Sequence, residues 1–208
     1  MKKIFLILAA VIFMMPMNLY GAEKENNKIL VVYFSNPEDV RTNGVDGVAS
    51  ASVQFLNGER VGSTEKMAKI IQEYVGGDIF KIETETSYPT EHDALVEFAD
   101  NQRQREEKPK LKTHIENFES YDTVFIGYPI WWYSLPMPLL SFLDEYDLSE
   151  KNVIPFSTHG GSRFSGTVEL ISQLEPDADI NRNGLTISRG RVERADSNII
   201  QWLKELGY

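Results

Sequence analysis

Residues able to hold a phosphate group stand where a predicted helix begins. Gly62-Ser63-Thr64-Glu65 opens an amphipathic stretch, and Ser63 is a residue type preferred at the N-cap of a helix. A hydroxyl at that position and the free backbone N–H groups of the first turn attract a dianionic phosphate without a lysine or arginine. We therefore expect Ser63 to cap a helix, either within an anion site or as a cap alone.

Aromatic side chains follow a different apolar stretch. The segment 128–136 reads YPIWWYSLP and contains Trp131 and Trp132, two of the chain's three tryptophans. Adjacent aromatic rings in a loop usually cover a planar ligand or a protein interface. The pattern therefore favours a flat heteroaromatic ligand stacked on an indole or contact with a partner protein, and it leaves both open.

A pair of glycines follows a third apolar stretch. Thr158-His159-Gly160-Gly161-Ser162 comes directly after residues 152–157. Paired glycines allow the backbone to approach a ligand and to present N–H donors. His159 is a candidate general acid or base, but a histidine beside glycines is more typical of a hydrogen-bonding loop. No catalytic triad or metal site is indicated, and we expect His92 and His114 to lie on the surface.

Predicted strands and helices bring these three segments together. Six consecutive apolar residues at 29–34 predict a buried strand, and residues 67–74 place side chains at i, i+3, i+4 and i+7, which predicts a helix. Five strands alternating with five helices are typical of a doubly wound parallel α/β sheet, where ligands bind beyond the carboxyl ends of the strands. The remaining strands are predicted at 78–83, 123–128, 152–157 and 184–188, and the remaining helices within 95–102, 139–143, 168–174 and 199–206.

Composition excludes several classes of function. The chain of 208 residues has no cysteine, which rules out disulfides, thiolate metal sites and thiol nucleophiles. Its formal net charge is −10, so no nucleic-acid partner is expected, because such partners are held by clusters of lysine and arginine. The three arginines within 188–194 are interpreted as a local salt-bridged loop, with attraction of an acidic partner or a nicotinamide cofactor's phosphate as alternatives.

The first 22 residues have the layout of a secretory signal peptide. Lys2 and Lys3 precede an apolar stretch from Ile4 to Met17, and small residues follow at Gly21 and Ala22. An uncleaved anchor is the alternative, but about 14 apolar residues fall short of the roughly 20 that span a bilayer. We expect cleavage near residue 22 and an exported, periplasmic or secreted protein without a membrane span. Loss of the two lysines changes the formal charge from −10 to −12.

These motifs together resemble the flavodoxin-like family. The resemblance covers residues 28–208 and depends on YFS at the end of the first strand, GSTEKMA, YPIWW and THGGS. It is closest to a bacterial exported branch with a long insertion in the phosphate loop. It implies a sheet order of 2-1-3-4-5 and FMN as the cofactor. It also implies that Ser35, Ser63 and Thr64 hold the phosphate, that Pro129, Ile130, Trp131 and Trp132 flank the isoalloxazine ring, and that Thr158, His159, Gly160 and Gly161 contact its pyrimidine edge.

The insertion is the main departure from short flavodoxins. Residues 36–61 place 26 residues between Ser35 and Gly62. Asn57-Gly58, flanked by 53–56 and 59–61, is a strong signal for a β-hairpin. We expect this hairpin to lie near the flavin as a substrate lid or partner surface, or to be a surface decoration.

The resemblance implies an FMN-binding electron-transfer protein that works with a redox partner protein. The acidic surroundings are expected to lower the potential of the flavin, which suits a one-electron carrier. One alternative is an NAD(P)H-dependent oxidoreductase of quinones or similar small acceptors. The other is a binding module of the same fold that has lost the flavin.

Overall fold

The computed structural model describes residues 27–39 and 52–208, which form a parallel sheet with helices on both faces. The predicted signal peptide and residues 40–51 of the insertion lie outside the described residues. The strands of the sheet are β1 (Ile29–Tyr33), β4 (Asp78–Lys81), β5 (Thr123–Pro129), β6 (Asn152–His159), β7 (Asp179–Ile180) and β8 (Leu185–Ser188). A separate hairpin consists of β2 (Gln54–Leu56) and β3 (Glu59–Val61).

The strand order confirms the predicted α/β topology. The main sheet runs β4-β1-β5-β6, with every pairing parallel, so the chain reverses direction across the sheet beside β1 and β5. The last position is shared by two short strands. β7 pairs with Asn152 and Val153 at the start of β6, whereas β8 pairs with the end of β6 from Phe156 to His159. The order is therefore 2-1-3-4-5 with a divided fifth strand.

Alternating side chains of β1 feed two hydrophobic cores. Leu30 and Val32 face one core, and Val31 and Tyr33 face the other, as the two-residue period of a strand requires. All seven residues of β5 are buried, which is typical of a central parallel strand covered on both faces. The two cores place the carboxyl ends of β1, β5 and β6 at one edge of the sheet.

Five helices cover the two faces. Buried residues of α1 (Ser63–Val75) and α5 (Asp196–Glu205) line one core, and those of α2 (His92–Gln104), α3 (Met137–Glu145) and α4 (Thr167–Leu174) line the other. Short 3₁₀ helices lie at Phe118–Ser120 and Arg189–Arg194, so the arginine-rich segment is helical rather than the predicted loop. None of the helices in the described ranges combines the length and apolar character that a bilayer crossing needs.

The hairpin prediction is confirmed. β2 and β3 pair antiparallel, with Gln54 opposite Val61, and both of these residues are buried. The turn residues Asn57 and Gly58 have φ angles of 51° and 83°, the left-handed values that two-residue hairpin turns prefer. The hairpin leads directly into Gly62 and α1, so it forms one side of the predicted phosphate loop.

Candidate functional site

Three loops meet at the carboxyl edge of the sheet, as the sequence predicts. The Phe34 N–H donates to the Gly127 carbonyl (2.9 Å), which joins the loop after β1 to β5. The Ile130 N–H donates to the Thr158 carbonyl (2.8 Å), which joins the loop after β5 to β6. The hydroxyls of Thr64 and Thr158 are 2.8 Å apart and connect the start of α1 to the same edge. The predicted phosphate, ring and pyrimidine segments are therefore neighbours.

The predicted phosphate segment contains two buried hydroxyls without hydrogen-bond partners. Ser35 is 5% exposed and Ser63 is 0% exposed, and neither Oγ has a hydrogen-bond partner within the described ranges. A buried polar group left unsatisfied costs about 1–3 kcal/mol. Ser35 follows β1 and Ser63 begins α1, so both hydroxyls lie where a helix N-terminus offers its positive end. The arrangement places two unused hydroxyl donors beside the positive end of a helix, which is chemistry that suits an anion.

The N-cap of α1 is Gly62 rather than Ser63, so the capping prediction is wrong. Gly62 has extended backbone angles, and its carbonyl accepts the first helical hydrogen bond from the Lys66 N–H at 3.0 Å. A Cβ at Gly62 would lie 2.1 Å from the Ser35 Oγ. The absence of a side chain at Gly62 thus allows the loop after β1 to approach the helix. The Ser63 side chain consequently makes no capping hydrogen bond, and it is fully buried.

The end of the insertion contributes a residue that the sequence did not single out. The Ser63 N–H donates to the Ser52 Oγ at 2.9 Å, and the Ser52 N–H donates to Glu38 Oε1 at 2.7 Å. Glu38 is buried, and its other oxygen lies 2.6 Å from His92 Nδ1. Through Ser52, the end of the insertion therefore contacts the N-terminus of α1. His92 is partly buried against Glu38, contrary to the expected surface position, whereas the His114 side chain is 62% exposed.

A tight turn carries the aromatic residues after β5. Trp131 and Ser134 form an antiparallel bridge and exchange two backbone hydrogen bonds of 3.2 and 2.9 Å. Trp132 and Tyr133 between them have φ angles of 49° and 59°. Large side chains seldom adopt these angles, and each such residue costs on the order of 1–3 kcal/mol. The surrounding structure holds two large rings in a turn that glycine or asparagine would form with less strain.

The two adjacent tryptophans have different environments. Trp131 is partly buried, and its ring forms a T-shaped contact with Phe34 and a tilted contact with Tyr88, at centroid distances of 5.2 and 5.5 Å. Trp132 is 45% exposed, donates from Nε1 to the Val96 carbonyl at 3.2 Å, and lies 5.9 Å from the Arg103 guanidinium. Trp132 thus retains indole surface that a flat ligand can cover, while Trp131 supports the loop from the core. Pro129 is buried and Ile130 partly buried beside them.

The loop after β6 holds a histidine in one defined tautomer. The Gly161 N–H donates to His159 Nδ1 at 2.8 Å, so the neutral ring carries its proton on Nε2. Partial burial, followed by the positive charges of Arg163 and Arg189, holds the pKa of His159 below its ordinary value. The neutral ring therefore offers an Nε2–H donor near pH 7. The preceding residue, Thr158, is buried.

An arginine lies against the same loop. A Cβ at Gly160 would be 3.0 Å from Nη2 and 3.2 Å from Cζ of Arg189, so the missing side chain of Gly160 makes room for the guanidinium. Burial lowers the pKa of Arg189, and the charge of Glu38 opposes that shift. An arginine remains protonated in proteins, so this loop carries a local positive charge. The backbone carbonyl of Arg189 also accepts from Gln54 Nε2 of the hairpin, at 3.5 Å.

The opposite edge of the sheet has a cavity of about 620 Å³ with different chemistry. Acidic side chains such as Asp122 and Asp147 line it, together with the buried Lys151. Lys151 Nζ donates to the Tyr121 carbonyl at 2.8 Å and lies 5.2 Å from the centre of the Phe118 ring. No cluster of three metal-ligating side chains occurs among the residues that the structure describes. The unpartnered serine hydroxyls distinguish the carboxyl edge as the candidate site.

Comparison with known proteins identifies relatives of the same architecture. A family model described as Flavodoxin matches residues 28–206. The chain is similar to a protein from Bacteroides eggerthii described as a flavoprotein, with 27% identity, a TM-score of 0.61, and coverage of 88% of this chain and 99% of that one. It also shares the fold of a Lactobacillus acidophilus flavoprotein solved in complex with FMN, with 19% identity, a TM-score of 0.57, and coverage of 85% and 99%. None of the curated proteins compared with the chain matches it.

Proposed function

The chain belongs to the flavodoxin family, and we propose that it binds FMN and transfers electrons. The observation that carries the proposal is the pair of unpartnered buried hydroxyls, Ser35 Oγ and Ser63 Oγ, beside the N-terminus of α1. A phosphate monoester gains hydrogen bonds from hydroxyls and favourable interaction with the helix dipole at such a place. Lys66 in the first turn donates instead to the Glu193 carbonyl at 2.9 Å, so binding relies on hydroxyls and N–H groups.

The other residues predicted to contact FMN lie beyond the phosphate site, along the carboxyl edge of the sheet. Thr64 joins the phosphate region to Thr158, and neighbouring strands of a sheet lie about 4.8 Å apart, so the loops after β1 and β6 are on the order of 10 Å apart. This span suits an extended ligand with a phosphate at one end and a flat ring at the other. In this proposal Trp132 covers the ring, and His159, Gly160 and Gly161 face its polar edge. Bound FMN would supply reversible uptake of one or two electrons.

A flavin titration tests the proposal directly. The purified protein is expected to be yellow, or to become so with FMN, and to quench the fluorescence of added FMN at a stoichiometry of about one. Riboflavin, which lacks the phosphate, is expected to bind at least tenfold more weakly because it cannot use the two serine hydroxyls. A colourless protein that binds neither compound would contradict the proposal and support a module that has lost the flavin.

An NAD(P)H-dependent oxidoreductase of quinones or similar small acceptors is the second candidate. The positive charges of Arg163 and Arg189 favour it, because they act on the loop assigned to the polar edge of the ring. Anaerobic spectra with NADPH separate the two functions. Bleaching by NADPH alone supports the oxidoreductase, whereas bleaching that requires an added reductase supports a carrier with a protein partner.

We also propose that the protein is exported to the periplasm or secreted. The support is the sequence pattern of residues 1–22, with two lysines before an apolar stretch. Mass spectrometry of the protein recovered from bacterial cell fractions tests this proposal. Export predicts a periplasmic or extracellular product whose N-terminus lies near residue 23, and an intact N-terminus in the cytoplasmic fraction would contradict it.

A further inference from the structure

We infer that Glu38 and His92 set the charge of the phosphate site, and that His92 takes up a proton from solvent when a phosphate group binds there. This inference rests on the proposed function and specifies how binding at the site is regulated. It extends the site from the serine hydroxyls to the N-terminus of α2, where His92 is the first residue.

A series of hydrogen bonds connects His92 to the start of α1. His92 Nδ1 lies 2.6 Å from Glu38 Oε2, and Glu38 Oε1 accepts from the Ser52 N–H at 2.7 Å. The Ser52 Oγ in turn accepts from the N–H of Ser63, whose own buried hydroxyl has no partner within the described ranges. A single residue, Ser52, therefore separates the Glu38 carboxylate from the N–H group at the start of α1.

The fold holds these groups in place. The Asp39 N–H donates to the Thr90 carbonyl at 2.7 Å, which joins the loop after β1 to the segment before α2. The Glu38 N–H donates to the Ser52 carbonyl at 3.3 Å. The Glu38 side chain is 5% exposed and that of His92 is 30% exposed. Charges at such positions are screened by salt much less than charges on the surface.

The other charged groups around the pair come from the hairpin, the loop after β1, α2 and the second 3₁₀ helix. Arg60 Nη1 donates to the backbone carbonyl of Glu38 at 3.4 Å, and the guanidinium forms an ion pair with Asp39. The carboxylate of Glu91 caps α2 and interacts with the charge of the histidine. The charges of Glu38 and Arg189 also interact. Of these residue types, histidine is the one that ordinarily changes charge between pH 5 and pH 8, so it is the group that can respond to a ligand near neutral pH.

Phosphate binding and protonation of His92 consequently favour each other. Hydroxyl and N–H groups would meet the phosphate, whereas the Glu38 carboxylate, on the other side of Ser52, repels it. A proton on His92 offsets that repulsion. A protein that binds an anion more tightly when it is protonated must take up a proton as the anion binds. Across about 9 Å, or roughly three hydrogen-bond lengths, and at an effective dielectric of about 20, one charge changes the affinity for a phosphate on the order of tenfold.

Calorimetric titration measures the proton uptake directly. FMN and riboflavin are titrated near pH 7 into the FMN-free wild type, His92→Gln and His114→Gln, in two buffers of different ionisation enthalpy. His114→Gln is the matched control, because His114 Nδ1 lies 2.5 Å from Glu145 Oε1 beside the cavity at the opposite edge of the sheet.

The expected difference lies in FMN binding alone. Wild type and His114→Gln should take up about 0.5 proton more per FMN than His92→Gln, the value for a tenfold coupling at its most favourable pH. The second ionisation of the FMN phosphate, near pH 6, contributes equally to the three proteins and cancels. Riboflavin binding should show no difference among them. Equal proton uptake with FMN in wild type and His92→Gln would overturn the inference.

A further variant guards against a folding defect at His92. In Glu38→Gln, the glutamine oxygen can still accept from the Ser52 N–H, but the negative charge is gone. FMN affinity at pH 8 should therefore rise about tenfold, with riboflavin affinity unchanged. A purely structural role of Glu38 predicts weaker binding of both compounds, and that result would also overturn the inference. Either failure with FMN still bound by the wild type leaves the proposed function intact, whereas a wild-type protein that does not bind FMN contradicts both.

Discussion

The two ends of the candidate site differ in the polar groups that they contain. At the phosphate end, Ser35, Ser52 and Ser63 surround the N-terminus of α1 with hydroxyls, and the nearby Lys66 amine is bonded to Glu193. At the other end, the β6 loop combines a neutral histidine with Arg163 and Arg189. A phosphate has a permanent charge that partial charges can hold. The arginines of the β6 loop are formal charges instead, so under the proposed function the ligand would meet partial charges at one end of the site and formal charges at the other.

The loop after β5 separates these ends, and its two neighbouring tryptophans also differ in their environments. Trp131 is fixed among Phe34 and Tyr88, and Trp132 is turned outward by a left-handed backbone. One ring stabilises the fold and the other offers a surface. Four sets of variants test these contrasts, in order of decreasing effect.

The largest effect is expected from Gly62→Ala at the phosphate end. The backbone angles of Gly62 are open to alanine, but the new Cβ would lie 2.1 Å from the Ser35 Oγ and would move that hydroxyl. FMN affinity should fall about 100-fold, or about 2.7 kcal/mol, in a fluorescence titration. Gly190→Ala is the matched control, because no atom lies within 4 Å of its Cβ, and it should bind FMN like the wild type. An FMN affinity unchanged in both variants would remove the phosphate site from Gly62.

The next effect separates the two tryptophans. Trp131→Ala should lower the free energy of unfolding by about 2–3 kcal/mol because the ring packs in the core. Trp132→Gly should instead stabilise the FMN-free protein by about 1 kcal/mol, through relief of the left-handed turn, and weaken FMN binding about tenfold. Denaturant unfolding and FMN titration measure these quantities.

Tyr133→Gly is the control for the turn, since it relieves the same strain at the neighbouring residue. It should stabilise the protein to a similar extent and leave FMN affinity unchanged. Equal loss of FMN affinity in Trp132→Gly and Tyr133→Gly would indicate that the turn geometry, rather than the Trp132 ring, supports the ligand.

A smaller effect is expected where the insertion meets α1. Ser52→Ala removes the oxygen that accepts from the Ser63 N–H at 2.9 Å. The free N–H can then bind the phosphate directly, so FMN affinity should fall only about threefold while the FMN-free protein loses about 1 kcal/mol. Calorimetric titration and thermal unfolding measure both. A loss as large as that of Gly62→Ala would show that Ser52 itself is a principal phosphate ligand.

The smallest effect is a pH dependence at the β6 loop. The pKa of His159 is below its ordinary value in the folded protein, so the unfolded chain takes up a proton first as the pH falls. The neutral His159 ring therefore contributes to the free energy of unfolding above about pH 6.5. That contribution is lost as the pH falls below about 6.5. Melting temperatures between pH 5 and pH 8 should depend less on pH in His159→Gln, and Arg163→Gln should remove part of the effect. Identical profiles for His159→Gln and wild type would contradict it.

Much of the fold was predictable because its signals are local. The apolar run at 29–34 and the stripe at 67–74 each report burial over one element, and Asn57-Gly58 specifies its own turn. The divided fifth strand was not predictable in this way. β7 has two residues, and its strand character comes from pairing with the start of β6, which no local pattern encodes.

The site was predictable at the level of segments but less so at the level of residues. Serine is a favourable N-cap, yet the close approach of Ser35 selects Gly62 for that position, which is a tertiary effect. Trp131 and Trp132 are the same residue type at adjacent positions, and their different exposure follows from the backbone of the turn. Ser52 and Arg189 are distant in sequence from the loops they contact, so their places depend on the folded chain.

The central claim is that the unpartnered serine hydroxyls form the phosphate site of FMN, and paired serine variants test it most directly. FMN and riboflavin affinities and the stability of the FMN-free protein are measured for Ser35→Ala, Ser63→Ala and the control Ser141→Ala, whose Oγ donates to the Pro109 carbonyl at 2.6 Å. Ser35→Ala and Ser63→Ala should each weaken FMN binding at least tenfold, leave riboflavin binding unchanged, and maintain or raise stability, because an unsatisfied buried group is removed. Ser141→Ala should lower stability and keep FMN affinity. Unchanged FMN affinity in both Ser35→Ala and Ser63→Ala would contradict the claim.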